Sequence, residues 1–467
     1  MDTVIKNGLI VTVAGTFAAD IGISDGRIVQ IGGTVEPAFT TIDAAGCYVM
    51  PGAIDVHTHL DTPVGDGFTA DDFGSGTIAA ACGGTTAIVD FCKQDRGRTL
   101  AEAIDTWDRK AAGKAAIDYG YHVIITDPTE AVFEELPSLP ERGITSFKVF
   151  MAGKGFEMID DLTLIRLLDS ARQIGALVMV HAENGDAVHY LQQKFVSEGK
   201  VAPLYQSPSR PARVEAEATA RAIALAEVVG GSLYVVHLTC EEALDEVVRG
   251  KMRGVNVMAE TCTQYLYTTK DDLDRDGFEG AKFVFCPPGR TIHDQEVLWR
   301  ALRNGLLETV SSDHFVTTYG AQKDVGRNDF TKIPNGGPGI EERVMMLYQG
   351  VNRGHISLAQ FVDLVSTRPA RVFGLYPSKG TISVGADADI LIWDPNAELT
   401  ITNERLHHAV DYTNYADRVV KGIPKTVLLR GRVIVQDRQY VGSPGEGRFI
   451  RRHRTSDSRH PVPKPAA

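Results

Sequence analysis

The feature that most constrains this chain is a rhythm between residues 51 and 374, where short apolar runs alternate with stretches of helical periodicity. Such alternation marks repeated strand-and-helix units, because parallel strands need a crossover between them and are buried on both faces. Eight runs can be counted, at 53–57, 85–90, 120–125, 146–151, 176–181, 233–237, 255–259 and 309–312. Helices are expected between them, for example over 100–113, 162–175, 215–229 and 241–252, several ending at or near glycine. Eight strands, each followed by room for a helix, predict an α/β chain folded as a (β/α)8 TIM barrel. A doubly wound open sheet is the rival, and the lack of a glycine-rich dinucleotide fingerprint after an early strand counts against it.

Outside that rhythm the ends of the chain read as strands. Residues 1–50 carry short apolar stretches at 4–13, 19–23 and 27–31 and a run ending at Met50, with Asp25-Gly26 as a hairpin signal. A matching pattern returns at 389–393 and 426–435. Neither end supplies enough strands for a stable sheet. Together they predict a small β-sandwich formed from the N- and C-terminal segments, 1–50 and 375–442, with the barrel over 51–374 inserted between them. Residues 443–467 contain four prolines, six Lys or Arg and no apolar periodicity. They read as a tail, either disordered or an arm that docks on a neighbouring subunit.

Composition narrows the partners. Of the 467 residues 43% are hydrophobic and 23% charged, ordinary values for a chain with a large core. A formal charge of -12 argues against nucleic acid or an anionic membrane, leaving a small molecule as the expected partner. No basic stretch followed by an apolar run opens the chain, and no segment approaches about 18 uncharged apolar residues. A cytoplasmic protein is expected. Its six cysteines are scattered without paired spacing, as reduced thiols are.

Five of the 13 histidines fall at or just beyond the ends of the predicted strands, where a barrel of this kind places its working side chains. His57 and His59 end the first, two residues apart and so on one face, where both imidazoles can reach one metal ion. In isolation that pair also admits a plain reading, a core histidine beside a polar strand end. His181 ends the fifth strand, His237 the sixth, and Asp313-His314 follow the eighth. His122 sits inside strand three and the remaining histidines in loops, helices or the tail, without an assigned role. Lys148 lies within the apolar run of strand four, where a buried ammonium costs several kcal/mol unless it is paired or neutralised. It reaches out to the barrel mouth, pairs with Asp313 or is chemically modified.

At these residues the chain resembles the amidohydrolase superfamily, and within it the hydantoinase/dihydropyrimidinase family of cyclic amide hydrolases. The resemblance spans nearly the whole chain and rests on Pro51-Gly52-Ala53-Ile54-Asp55-Val56-His57-Thr58-His59-Leu60, Gly83-Gly84-Thr85-Thr86, Phe147-Lys148-Val149-Phe150-Met151, Val180-His181-Ala182-Glu183-Asn184, Ser312-Asp313-His314, Ile333-Pro334-Asn335-Gly336-Gly337-Pro338-Gly339 and Gly385-Ala386-Asp387-Ala388-Asp389. It implies two zinc ions per subunit. His57 and His59 would hold the more buried ion, His181 and His237 the more exposed one, and Lys148, carboxylated on its side chain, would bridge them. Asp313 would complete the coordination of the first ion, the one held by His57 and His59, and shuttle a proton while a metal-bridging hydroxide opens the ring to an N-carbamoyl amino acid. The substrate's amide edge would lie against Cys286, in place of a usual serine, and Asn335. A homo-oligomer, tetramer or dimer, is also implied.

Two positions depart from the family's pattern. Gly153 stands where D-selective members usually carry a tyrosine that helps the oxyanion, and Phe315 follows the Asp-His pair in place of a small residue. Tyr319 is a candidate to restore the missing hydroxyl. An allantoinase, an L-selective hydantoinase or a hydrolase of another cyclic imide would use a similar centre. A dihydroorotase would need an arginine at Asp61, and a metal-free scaffold relative would not keep all six ligand positions filled.

Overall fold

A computed structural model describes residues 1–33 and 38–454. Among these residues the eight expected runs form one sheet of parallel strands in chain order: β1 (Ala53–Thr58), β2 (Thr85–Lys93), β3 (Asp118–Ile124), β4 (Ser146–Phe150), β5 (Leu177–His181), β6 (Leu233–Val235), β7 (Val257–Cys262) and β8 (Thr309–Ser311). First and last strands meet. Thr58 pairs in parallel with His314 just past β8, His59 N–H donates to His314 O at 3.1 Å, and Ser312 N–H donates to Asp55 Oδ1 at 3.2 Å. The sheet thus closes into a (β/α)8 barrel.

Alternate residues of the strands fill its interior, as a period of two requires: Ile54 and Val56, Val89 and Phe91, Leu177 and Met179, Tyr234 and Val236, with Phe373 and Leu375 in the same cluster. The helices lie close to the expected ranges, at Leu100–Ala111, Asp161–Ile174, Ala212–Val229 and Glu241–Met252. Thr99 caps the first of these in a reciprocal pair with Glu102. Gly175 and Gly230 end the second and third at φ of +69° and +67°, the left-handed turn-off that glycine takes without strain.

The two ends of the chain build the sandwich. Strand Tyr48–Pro51 pairs antiparallel with Ile390–Thr400 inside a seven-stranded sheet, and a four-stranded sheet from residues 3–43 packs over it. Isoleucines from both ends, among them Ile5, Ile10, Ile23, Ile390 and Ile392, form the shared core. One element differs from expectation. The run at 4–13 is two strands, Thr3–Lys6 and Leu9–Thr12, because Asn7 turns the chain at φ +63°.

Residues 443–454 also differ, since they lie against this chain's own barrel rather than forming an unpacked tail. Ile450 N–H donates to Tyr119 O at 2.7 Å, Tyr119 N–H to Arg448 O at 3.0 Å, and the Phe449 ring packs 5.3 Å from that of Tyr121. Arg452 is buried and donates to Ser146 Oγ at 2.9 Å. One apolar pair, Phe449-Ile450, makes the seal, and a pair is too short to register as periodicity. Residues 455–467 lie outside the described residues.

Candidate metal centre and active site

The mouth of the barrel brings together side chains from five of its strand ends. His57 Nε2 lies 3.0 Å and His59 Nε2 3.4 Å from Asp313 Oδ1, with the two imidazole rings 5.3 Å apart. His181 Nδ1 and His237 Nε2 face each other at 2.9 Å, and the His237 ring is 5.6 Å from that of His57. His237 and Asp313 both adopt positive φ, +40° and +49°, so the chain bends sharply where it delivers each side chain.

Partners behind these groups fix their orientation. The Glu260 carboxylate on β7 meets His57 Nδ1 and accepts from Ser311 Oγ at 2.6 Å and Tyr234 OH at 3.1 Å, which leaves Nε2 of His57 directed at Asp313. Glu183 accepts from His181 Nε2 at 2.8 Å and is paired with Arg210. Asp90 holds the end of β1 by accepting from Thr58 Oγ1 at 2.6 Å and Leu60 N–H at 2.9 Å, and its other oxygen accepts from Trp107 Nε1 at 2.9 Å.

Burial and charge tune the cluster. Burial pulls His57 down, but the Asp313 and Glu260 carboxylates outweigh it and raise its pKa to about 9. His59 is lowered to about 4, by burial first. Asp313 is held well below the usual carboxylate range, the surrounding imidazoles overcoming its burial.

Lys148 is 2% exposed, and burial lowers it to about 8 against the charges of Asp313 and Glu260. Its ammonium faces the rings of Phe91 and Phe150, at 5.3 and 5.1 Å, and makes no hydrogen bond or ion pair among the described residues. His237 Nδ1 is likewise buried without a partner. Imidazole nitrogens with one carboxylate oxygen, the nearest three within 4.8 Å of one another, are the donor chemistry of a zinc-type metal site, so the residues fit such a group.

The two segments expected to meet substrate also converge. Gly336 N–H donates to Val284 O at 2.9 Å, which sets Asn335 beside the chain leading to Cys286. The Cys286 thiol lies 3.3 Å from Glu183 Oε2 and 3.7 Å from His181 Nε2. Phe315 presents its ring edge-on to His59, 5.5 Å between centroids.

Tyr319 is engaged by other partners. Its ring stacks on Phe278 at 6.1 Å, under the Lys282 ammonium, and its hydroxyl meets Glu279. At Gly153 φ is +81°, and its carbonyl accepts from the N–H groups of Phe156, Glu157 and Met158. That loop is built on a glycine conformation, so a tyrosine could not simply be restored there.

The Amidohydrolase family model matches residues 48–434. The chain belongs to the amidohydrolase family. Residues 1–51 also match the model of the urease alpha-subunit N-terminal domain. Curated amidohydrolases similar to it include the D-hydantoinases of Rhizobium radiobacter and Ralstonia pickettii, each 63% identical over 97% of this chain and 99% of the relative. A solved D-hydantoinase structure, 62% identical, matches with a TM-score of 0.97 over 97% of this chain and 100% of its own. The L-hydantoinase of Arthrobacter aurescens matches with a TM-score of 0.88 at 29% identity, over 97% and 100% of the two chains.

Within this amidohydrolase, Glu260, Glu183, Asp90 and Arg210 were not singled out from sequence. Glu260 had a visible signal, a carboxylate directly after the apolar run at 255–259. The strand continues through it to Cys262, which places it at the mouth.

Proposed function

We propose that this amidohydrolase opens a cyclic amide by hydrolysis, acting on hydantoin- or dihydropyrimidine-type rings to give N-carbamoyl amino acids. The observation that carries this reading is the convergence of His57, His59, His181, His237 and Asp313 at the mouth of the barrel whose β4 carries the unpaired Lys148. His57 and His59 would hold one zinc ion and His181 and His237 a second, with Lys148 between them and Asp313 on the first. Zinc bound there supplies a nucleophile from water at neutral pH and polarises the scissile carbonyl.

The chain's own groups do the rest. Lys148, a buried amine with a lowered pKa, adds to carbon dioxide. The ammonium first releases one proton to give the free amine, a nitrogen–carbon bond forms as a second proton leaves to solvent, and an unpaired cation so becomes an anionic oxygen ligand. Glu260 and Glu183 fix the rings of His57 and His181 so that the opposite nitrogens face inward. Asp313, held ionised, accepts the proton of the attacking water and passes it to the leaving amide nitrogen. Cys286 and Asn335 position the amide edge, and Phe315 narrows the space beside His59.

Identity of 63% with D-hydantoinases against 29% with an L-hydantoinase favours the D-enantiomer of 5-substituted hydantoins. Six free thiols, five of them buried, favour the reducing cytoplasm, and the family resemblance favours a homo-oligomer, tetramer or dimer. The test is a zinc analysis of dialysed protein with a ring-opening panel of dihydrouracil, hydantoin, both enantiomers of a 5-substituted hydantoin, allantoin and a cyclic imide. Zinc retention with D-selective opening is expected. Protein that holds no zinc and gains no activity on zinc addition contradicts the reading.

A further inference from the structure

The amide edge of a ring needs donors and acceptors at a fixed spacing, and the segments around Cys286 and Asn335 are the two expected to supply them. A buried side chain from a third segment joins them. Gln206, 1% exposed, opens the one-turn helix Gln206–Ser209. Its amide nitrogen donates to Phe285 O at 2.9 Å and to Asn335 Oδ1 at 2.7 Å. A primary amide has two N–H bonds, and one is committed to each segment.

Lys323 braces the second segment. Fully buried, its ammonium donates to Pro334 O at 2.8 Å and Gly336 O at 3.0 Å, straddling residue 335. The stretch that carries Gln206 reaches the metal ligands as well, since Arg210 pairs with Glu183, the partner of His181. One short segment therefore touches the support of a metal ligand at one end and both substrate-facing strands of backbone at the other.

We propose that Gln206 is a positioning residue for ring opening, setting the gap between the 285–286 and 334–336 segments, with Lys323 holding the second segment in place. The inference rests on the proposed reading that these segments hold the substrate's amide edge. A gap set by two short hydrogen bonds from one amide acts on the binding of the ring before it acts on the chemistry.

Gln206→Met keeps length and bulk and removes both donors, and Gln206→Glu keeps the shape while turning both contacts repulsive. In zinc-loaded protein the KM for hydantoin is expected to rise about tenfold in Gln206→Met and further in Gln206→Glu, with kcat changed less than about threefold and zinc content unaltered. Should neither glutamine variant fold, Lys323→Met reads the same gap from the other side and is expected to show the same split between KM and kcat. Folded variants with KM within about twofold of the parent overturn the proposal, as does a loss confined to kcat. A parent protein that opens none of the rings overturns the functional reading itself, which separates that failure from this one.

Discussion

Of the buried lysines, Lys148 at 2% exposure and Lys379 at 3% sit at nearly the same depth in opposite surroundings. Lys379 Nζ lies 2.5 Å from Asp389, 2.8 Å from Asp118 and 3.1 Å from Asp387. Those carboxylates come from the start of β3 and from the stretch leading into the sandwich, so the ammonium ties the two layers together. They are spaced as a cation site, and the lysine is the cation. Burial opposes its charge, but the carboxylates outweigh burial and raise its pKa above the ordinary 10.5. Around Lys148 there are phenylalanine rings and, among the described residues, no ion-pair partner, and burial lowers it to about 8. Depth alone does not make a buried lysine reactive. The neighbours decide whether it is a structural cation or an available amine.

The sharpest way to break that contrast is to remove each lysine in turn. Lys148→Ala should lose bound zinc and reduce ring opening by about a thousandfold or more, with partial recovery when a short-chain carboxylic acid is supplied, read by metal analysis and initial rates. Full activity in that variant would place Lys148 with Lys379 as structural. Asp313→Asn should retain zinc and lose about a hundredfold to ten-thousandfold in kcat, which separates loss of the proton carrier from loss of the ligand bridge.

Lys379→Met should do the reverse of Lys148→Ala. It leaves Asp389 without its cation and Asp118 and Asp387 with only Arg430 and Arg27, and should cost about 3 to 5 kcal/mol in denaturant unfolding, while the turnover of the folded fraction stays at the parent's value. The two lysines also pull stability in opposite directions with pH. Lys379, raised above 10.5, contributes stability that is complete below that value and is lost as pH climbs through its higher folded-state pKa. Lys148, lowered to about 8 in metal-free protein, makes stability rise with pH between about 8 and 10.5. Alkaline unfolding of parent and Lys379→Met should therefore converge as pH rises beyond 10.5. The smallest effect is at the rim of the same network, where Arg27, more than half exposed, pairs with Asp387 at 3.5 Å. Arg27→Ala should change stability by less than about 1 kcal/mol.

What sequence could reveal follows from where chemistry interrupts hydropathy. His57, His59, His181, His237 and Asp313 each stand at or just past the end of an apolar run, and Lys148 stands inside one, so the strand count and the candidate site were legible together. Glu260 also follows an apolar run, but a lone carboxylate there reads as the ordinary polar end of a strand. Gln206 escaped because a four-residue helix has no period to read. The break at Asn7 needs a backbone conformation, φ +63°, that asparagine permits but does not advertise. The docking of 443–454 depends on partners more than 300 residues away, such as Tyr119 for Ile450 and Ser146 for Arg452.

In the proposed function Lys148 is the amine that carbon dioxide modifies and Lys379 is not. Carbon-13 NMR of zinc-loaded protein equilibrated with labelled bicarbonate tests it directly. One carbamate resonance is predicted in the parent and in Lys379→Met, and none in Lys148→Ala. A parent without that resonance, or a Lys148→Ala protein that keeps it, would rule out Lys148 as the modified amine.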